Sequence, residues 1–274
     1  MSIQIESLSY TYLKNTPLSH TALHDISLTI EEGAFTAIAG ETGAGKSTLM
    51  QVIGGLIQPT AGRIIVDNVP LYGKTPKEKE AARRARFRIG MVFQYPEYQL
   101  FEETVYEDIA FGPRNQGLTE QETEMRVQEA MELVRLPGSY RTRSPFALSG
   151  GERRRAAIAG VLALAPRYLV LDEPAAGLDP RGRDELLSML TMLHRERNVS
   201  IIFVSHSMED ILRTASHLIV LAGGRMLAEG APLALFRDAD LVRSASLEVP
   251  HILCLGKQIE ACGYPVGNCT NAAD

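Results

Sequence analysis

Residues 40–48, GETGAGKST, set Gly40, Gly43 and Gly45 ahead of Lys46, Ser47 and Thr48. Glycines at this spacing let consecutive backbone N–H groups across Gly40, Glu41, Thr42, Gly43, Ala44 and Gly45 face phosphate oxygens. Lys46 then reaches the β- and γ-phosphates, and Ser47 offers a hydroxyl to Mg²⁺. Far downstream, Asp172 and Glu173 stand side by side before Pro174. Asp172 can hold a Mg²⁺ shell while Glu173 faces an attacking water; an acidic turn closed by proline accounts for either acid alone. His206 follows an apolar run, and a lone histidine so placed has no role without the other residues. Residues 148–155, LSGGERRR, put Ser149, Gly150 and Gly151 ahead of three arginines. A turn or helix cap is one reading, and a ligand pressed close to the backbone is the other.

Such residues need strand ends and helix starts to hold them. The apolar run 35–40 precedes the glycine loop and LMQVIGGL follows it, which predicts the strand, loop and helix of a phosphate-binding P-loop. Residues 168–171 and 199–204 are uninterrupted apolar runs of the kind that form central parallel strands, whose C-terminal edge is where α/β sheets hold ligands. IQIESLSYTY and LHDISLTIEEG alternate, which predicts an antiparallel layer ahead of the buried strand. A helix is expected over 151–164.

The chain has 274 residues, 45% hydrophobic and 22% charged, which suits one large α/β domain with an appendage. Its net charge of -5 argues against a nucleic-acid partner, and Arg83, Arg84, Arg86 and Arg88 are expected to form a solvated helix face. Cys254, Cys262 and Cys269 have neither disulfide-framework nor zinc spacing. The first residues lack a signal-peptide pattern, and the apolar stretch 156–166 is about half a bilayer span. The expectation is a cytosolic chain whose membrane span, if it needs one, comes from a partner.

In order along the chain, residues 40–48, Gln94, 148–152, Asp172-Glu173, 176–180 and His206 resemble the ATP-binding-cassette (ABC) ATPases, over at least residues 3–230. The resemblance implies ATP hydrolysis with ATP and Mg²⁺ bound. It also implies an α/β P-loop NTPase fold: a RecA-like core with an antiparallel β layer, an inserted helical subdomain at about 95–165, and a small C-terminal helical extension. The ATPase domain would span 1–230, and 231–274 would supply dimer contact and a disordered tail. Catalysis is assigned to Glu173 as general base, His206 on the γ-phosphate and water, Gln94 on Mg²⁺ and water, and Lys46. The metal is assigned to Ser47, Gln94 and Asp172. Tyr12 matches the adenine-stacking aromatic, with Tyr10 the competing choice, and Asp179 lies in the D-loop. Ser149, Gly150, Gly151 and Glu152 are assigned to ATP held by the facing subunit, so that two nucleotides sit between two subunits. Glu152 stands where the family usually has Gln. A carboxylate aimed at a triphosphate repels it, so Glu152 is expected to face Arg153 or a neighbouring helix, or to offset the helix dipole.

Residues 94–114, QYPEYQLFEETVYEDIAFGPR, together with EPAAGLDP and the segment 246–266, resemble more narrowly the ATPase subunits of energy-coupling factor (ECF) importers, in particular the second, A-prime type. That resemblance implies a second ATPase subunit, identical or a paralogue, a transmembrane T subunit and a substrate-binding S subunit that takes up a vitamin or a transition metal. The chain would then be peripheral, on the cytoplasmic face of the membrane. Glu97, Glu102, Glu103, Glu107 and Asp108 are candidates to receive arginines from the T subunit, against the reading of a solvated acidic face. The alternatives are another type of ABC transporter, or a soluble ABC ATPase of DNA repair or translation. The latter should carry a long coiled-coil insertion or a second cassette.

Overall fold

The computed structural model describes residues 1–261; Cys262, Cys269, the end of the 246–266 segment and the 267–274 tail lie outside the described residues. The chain opens with β1 (Ser2–Tyr12), β2 (His20–Glu31) and β3 (Phe35–Ala39), followed by α1 (Lys46–Ile53), β4 (Ala61–Val66) and the short β5 (Val69–Pro70). Strands β1, β2, β4 and β5 form an antiparallel sheet in the order β2-β1-β4-β5. Its alternation is that of a one-sided sheet: Ile3, Ile5, Leu28 and Ile30 are buried while Gln4, Glu6, Thr29 and Glu31 are not.

After α2 (Pro76–Arg86) and β6 (Ile89–Val92) come a 3₁₀ turn at Pro96–Gln99 and the helices α3 (Val105–Asn115), α4 (Glu120–Leu133) and α5 (Gly150–Leu162). The chain then runs through β7 (Tyr168–Asp172), α6 (Pro180–Arg197), β8 (Ser200–Val204), α7 (Met208–Thr214), β9 (His217–Ala222) and β10 (Arg225–Gly230). It ends in α8 (Pro232–Arg237), α9 (Ala239–Ser244) and α10 (His251–Ala261). The second sheet has the order β10-β9-β3-β8-β7-β6, parallel throughout except for the antiparallel edge strand β10. Both of its faces are covered, as a parallel sheet requires. Leu169, Leu171, Ile201 and Phe203 face one core together with Ile109, Val127 and Ile158 of the helices α3, α4 and α5. Tyr168, Val170, Ile202 and Val204 face the other, shared with α1 and the antiparallel sheet.

Two helices and one charged face differ from expectation. Helix α1 starts at Lys46 itself and stops at Ile53, because Gly45 caps its start in a left-handed conformation (φ 94°) and Gly54 caps its end, so the glycine pair of LMQVIGGL lies beyond the helix. Helix α5 begins at Gly150 and ends at Leu162, one residue earlier at its start than the expected 151–164 and two at its end. Arg83, Arg84 and Arg86 are exposed on the last turn of α2, whereas Arg88 lies past the helix and pairs at 2.8 Å with Asp67, whose side chain is buried. No helix among the described residues is long and apolar enough to cross a membrane.

Candidate active site

Parallel pairing decides which loops meet. Val204 of β8 lies opposite both Ile38 of β3 and Asp172 of β7, and Leu171 of β7 lies opposite Val92 of β6. Four neighbouring strands therefore end at one edge. Their loops deliver the 40–48 stretch, Ser205-His206, Glu173 and Gln94 side by side.

At this edge the glycine loop is held by backbone sterics. Gly40 has φ 148° and a Cβ there would sit 2.1 Å from the carbonyl oxygen of Leu221, while a Cβ on Gly45 would sit 2.6 Å from that of Ala22. Ala44 is buried beneath the loop, and Glu41, Thr42 and Gly43 form its exposed rim. The Lys46 ammonium donates to the carbonyl oxygens of Gly40 and Glu41, both at 2.8 Å. Burial pushes the Lys46 pKa down, and the carboxylates of Glu173, Asp172 and Glu41 oppose that effect. An arriving triphosphate would take over both the charge pairing and the donors. Ser47 is exposed on the first turn of α1. Thr48, buried, has its hydroxyl 3.1 Å from that of Tyr12, whose ring stands edge-on to Tyr10 at 4.7 Å. Tyr10 packs on the core.

The two carboxylates behave differently. Asp172 is 9% exposed, and its Oδ1 is buried with no hydrogen-bond partner. Burial raises the Asp172 pKa, and the nearby Ser47 hydroxyl pulls it back. A buried, orphaned carboxylate oxygen beside a serine hydroxyl fits Mg²⁺, a hard ion that takes one or two protein oxygens and fills its octahedron with phosphate and water. Glu173 accepts from Gln94 Nε2 at 3.2 Å through Oε2, and its Oε1 lies 2.6 Å from His206 Nε2. Its backbone is left-handed (φ 49°), at a cost on the order of 1–2 kcal/mol. The chain leaves β7 by a sharp reversal that holds the side chain between Gln94 and His206. A cleft of about 180 Å³ opens beside Glu173 and His206, with Arg183 and Asp210 on its wall.

Ser149 and Glu152 form a capping box at the start of α5. The Ser149 hydroxyl donates to Glu152 Oε2 at 2.7 Å, the Ser149 N–H donates to the same oxygen at 2.8 Å, and the Tyr140 hydroxyl donates to Oε1 at 2.8 Å. Glu152 therefore turns to Ser149 and Tyr140, not to Arg153. Its place in the first helical turn also sets it against the positive end of the dipole. These bonds, those from Ser149 first, hold the Glu152 carboxyl at about 2, against 4.5 in a free side chain. A carboxyl so depressed stabilises the fold above about pH 4.5 and loses that contribution as pH falls toward about 2. Glu152→Gln is accordingly expected to unfold at lower temperature than the wild type near neutral pH, with the gap narrowing below about pH 4.5. Melting curves across that range check it, and a gap that stays constant contradicts it.

Gly150 and Gly151 are exposed, and a Cβ on Gly150 would meet nothing within 4 Å. No hydrogen bond among the described residues joins Ser149, Gly150 or Gly151 to residues 40–48. Asp179 caps α6, accepting from the Gly182 N–H at 2.8 Å. Two functional neighbours escaped the sequence reading. Tyr140 was invisible because its link to Glu152 crosses a loop. Arg154, in the middle of the arginine run, donates to the carbonyl oxygens of Ala176 (2.9 Å), Gln94 (3.1 Å) and Pro174.

Beyond Gln94 the candidate acids divide. Glu107 pairs with Arg114, and Asp108 accepts the N–H groups of Phe101 and Glu102, so both already hold partners within the chain. Glu97 is partly buried with an unpaired Oε2. Among the described residues, Glu102 and Glu103 have no ion pair. Around them Tyr95, Tyr98, Phe101 and Phe111 are exposed, Tyr98 at 81%, and Phe101 stacks edge-on with Phe111 at 5.0 Å. Aromatic patches of this kind are a mark of protein interaction surfaces.

Comparison with known proteins gives this edge its class. Residues 23–176 match the ABC transporter family, so the strand-end loops are those of an ABC ATPase. The energy-coupling factor transporter ATP-binding protein EcfA2 of Clostridium tetani is 47% identical over 267 residues, covering 97% of this chain and 91% of that protein. EcfA2 of Ligilactobacillus salivarius is 48% identical over 250 residues, covering 91% of this chain and 86% of that protein. Among solved structures, cbiO1 from Clostridium perfringens, described as part of the ABC transporter complex cbiONQ, superposes with a TM-score of 0.75 at 35% identity, covering 93% of this chain and 98% of that one. The ATP-binding cassette MJ0796, solved as a dimer bound to ADP and Pi, gives 0.72 at 27% identity, covering 84% of this chain and 98% of that one. The chain belongs to the ABC transporter family and, within it, to the EcfA2 ATP-binding subunits of energy-coupling factor transporters. Its activity is ATP hydrolysis coupled to transport.

Proposed function

We propose that this chain binds MgATP on the 40–48 loop and hydrolyses it with Glu173 as general base, in a site completed by Ser149, Gly150 and Gly151 of a facing ATPase subunit. The observation that carries this reading is Glu173, held by Gln94 on one side and His206 on the other. A base must be oriented toward its water, and two hydrogen-bonding neighbours fix that orientation. Ser47 and Asp172 would hold Mg²⁺, which when bound neutralises charge on the β- and γ-oxygens. Gln94 would sense metal and water, and Tyr12 would stack on adenine. Residues 1–230 act as the ATPase domain, with about 95–165 as the inserted helical subdomain and 231–274 as an extension that adds dimer contact. The facing subunit is a second ECF ATPase, identical or paralogous.

The same reading places the chain on the cytoplasmic face of a membrane, against a transmembrane T subunit that also carries an S subunit for a vitamin or transition-metal ion. Tyr95, Tyr98, Phe101 and Phe111 supply the apolar contact, and Glu102 and Glu103 the charge for arginines of the T subunit. Gln94 joins this surface to the catalytic end of its own loop. The double reversal Glu102→Lys with Glu103→Lys is expected to weaken association with the T subunit by about tenfold or more, with the loss larger at low salt, where charges are least screened. Basal ATPase of the isolated chain should be unchanged. Co-expression with T and S subunits, followed by co-purification, uptake and ATPase assays, tests it; normal uptake refutes the coupling role.

A further inference from the structure

Arg154 is 6% exposed, yet among the described residues no carboxylate lies in hydrogen-bonding reach of this cation. Its guanidinium is spent on backbone carbonyls instead, reaching Gln94 just past β6 and Pro174 and Ala176 just past Glu173. Glu97, on the 3₁₀ turn after Gln94, supplies the nearest compensating charge and has a buried oxygen without a partner. Arg154 itself lies on α5, one turn past the Ser149 cap. One rigid, planar fork thus joins the helix that begins at Ser149 to both loops that carry the Glu173 and Gln94 pair.

We infer that Arg154 is a positioning residue that makes the placement of Ser149 on the facing subunit's nucleotide and the placement of Glu173 in this subunit's own site a single movement. Carbonyls of two separate loops, fixed to one side chain, cannot shift relative to α5 without breaking charge-assisted hydrogen bonds inside a buried space. Any tilt of α5 as Ser149 meets phosphate is passed to Gln94 and to the 173–176 backbone. The inference rests on the proposed action of Ser149 across the dimer.

The test uses the assembled transporter and the isolated full-length chain. Arg154→Met keeps side-chain length and removes every donor. It is expected to lower the ATPase kcat of the transporter by about 10- to 100-fold, the scale of a misplaced catalytic group, while the affinity of the isolated chain for ATP stays at the wild-type value. Arg154→Lys, which keeps the charge but not the fork, should restore part of kcat. In the Ser149→Ala background Arg154→Met should cost less than in the wild type, because both changes interrupt one movement. Wild-type kcat in Arg154→Met overturns the inference, as does an isolated-chain affinity that falls in step with kcat, or additive effects in the double variant. If Arg154→Met does not fold, Arg154→Lys decides alone: lowered kcat with unchanged affinity supports the inference and wild-type kcat overturns it. Ser149→Arg run in parallel separates the two readings, since normal ATPase there removes the action across the dimer whatever Arg154 does.

Discussion

Glu173→Gln is expected to keep ATP binding and to lose about 10²- to 10⁴-fold in turnover, the range for removing a general base. That corresponds to about 3 to 5 kcal/mol of barrier. Glutamine has nearly the same shape and can still accept from a neighbour, so the left-handed turn at residue 173 and the adjacent P-loop have no reason to change. Removing the charge also removes one attraction to Lys46, whose ammonium is already partnered by two carbonyl groups. Binding is therefore preserved while proton abstraction from water is not. ATP titration of the purified variant beside a steady-state phosphate-release assay separates the two quantities. Turnover near the wild-type rate would move the base to another group, and His206, 2.6 Å away, would be the first to examine.

The parts legible in the sequence were those where chemistry and element coincide. Residues 40–48 announce both a phosphate loop and the strand and helix around it, and Asp172-Glu173 closing an apolar run announces a strand end and a carboxylate pair together. The alternation in β1 and β2 was equally plain, because one face of that sheet is apolar. What escaped depends on which hydrogen-bond partner each side chain takes, which residue spacing alone does not announce. Glu152 was expected to face Arg153 or a neighbouring helix, or to offset the helix dipole; it lies in the first turn against the dipole, and its carboxylate is held by Ser149 and the Tyr140 hydroxyl. Glu107 and Asp108, read as candidates for a partner's arginine or as part of a solvated acidic face, each hold a partner within the chain, Arg114 and loop N–H groups respectively. Arg154 is one of three consecutive arginines that the sequence does not tell apart, and only the packing of α5 against two loops makes it a buried hub. The start of α5 was misjudged by one residue and that of α1 by three, because Ser149 and the left-handed Gly45 set them.

Ser149→Arg is the second large effect expected. The start of α5 gives a physical reason to look outside the chain. Gly150 and Gly151 are the first two residues of α5, yet in this chain a side chain on Gly150 would touch nothing, so no contact within the chain calls for a glycine there. Space left clear at an exposed helix N-terminus, with its N–H groups facing outward, suits an anion brought by another molecule. In the proposed composite site an arginine at 149 would fill that space and remove the hydroxyl, so the γ-phosphate of the facing site would lose a donor and meet a steric block. Losing one such donor alone costs about 10² to 10³ in rate.

The most direct measurement pairs two numbers for Ser149→Arg: ATP affinity of the isolated chain and ATPase rate of the assembled transporter. A signature loop that serves the facing nucleotide predicts unchanged affinity in the isolated chain and a rate reduced by about 10²-fold or more. Affinity of the isolated chain lost together with the rate would mean that Ser149 serves its own nucleotide or the fold, and a wild-type rate would mean that it serves no nucleotide; either result contradicts the composite site.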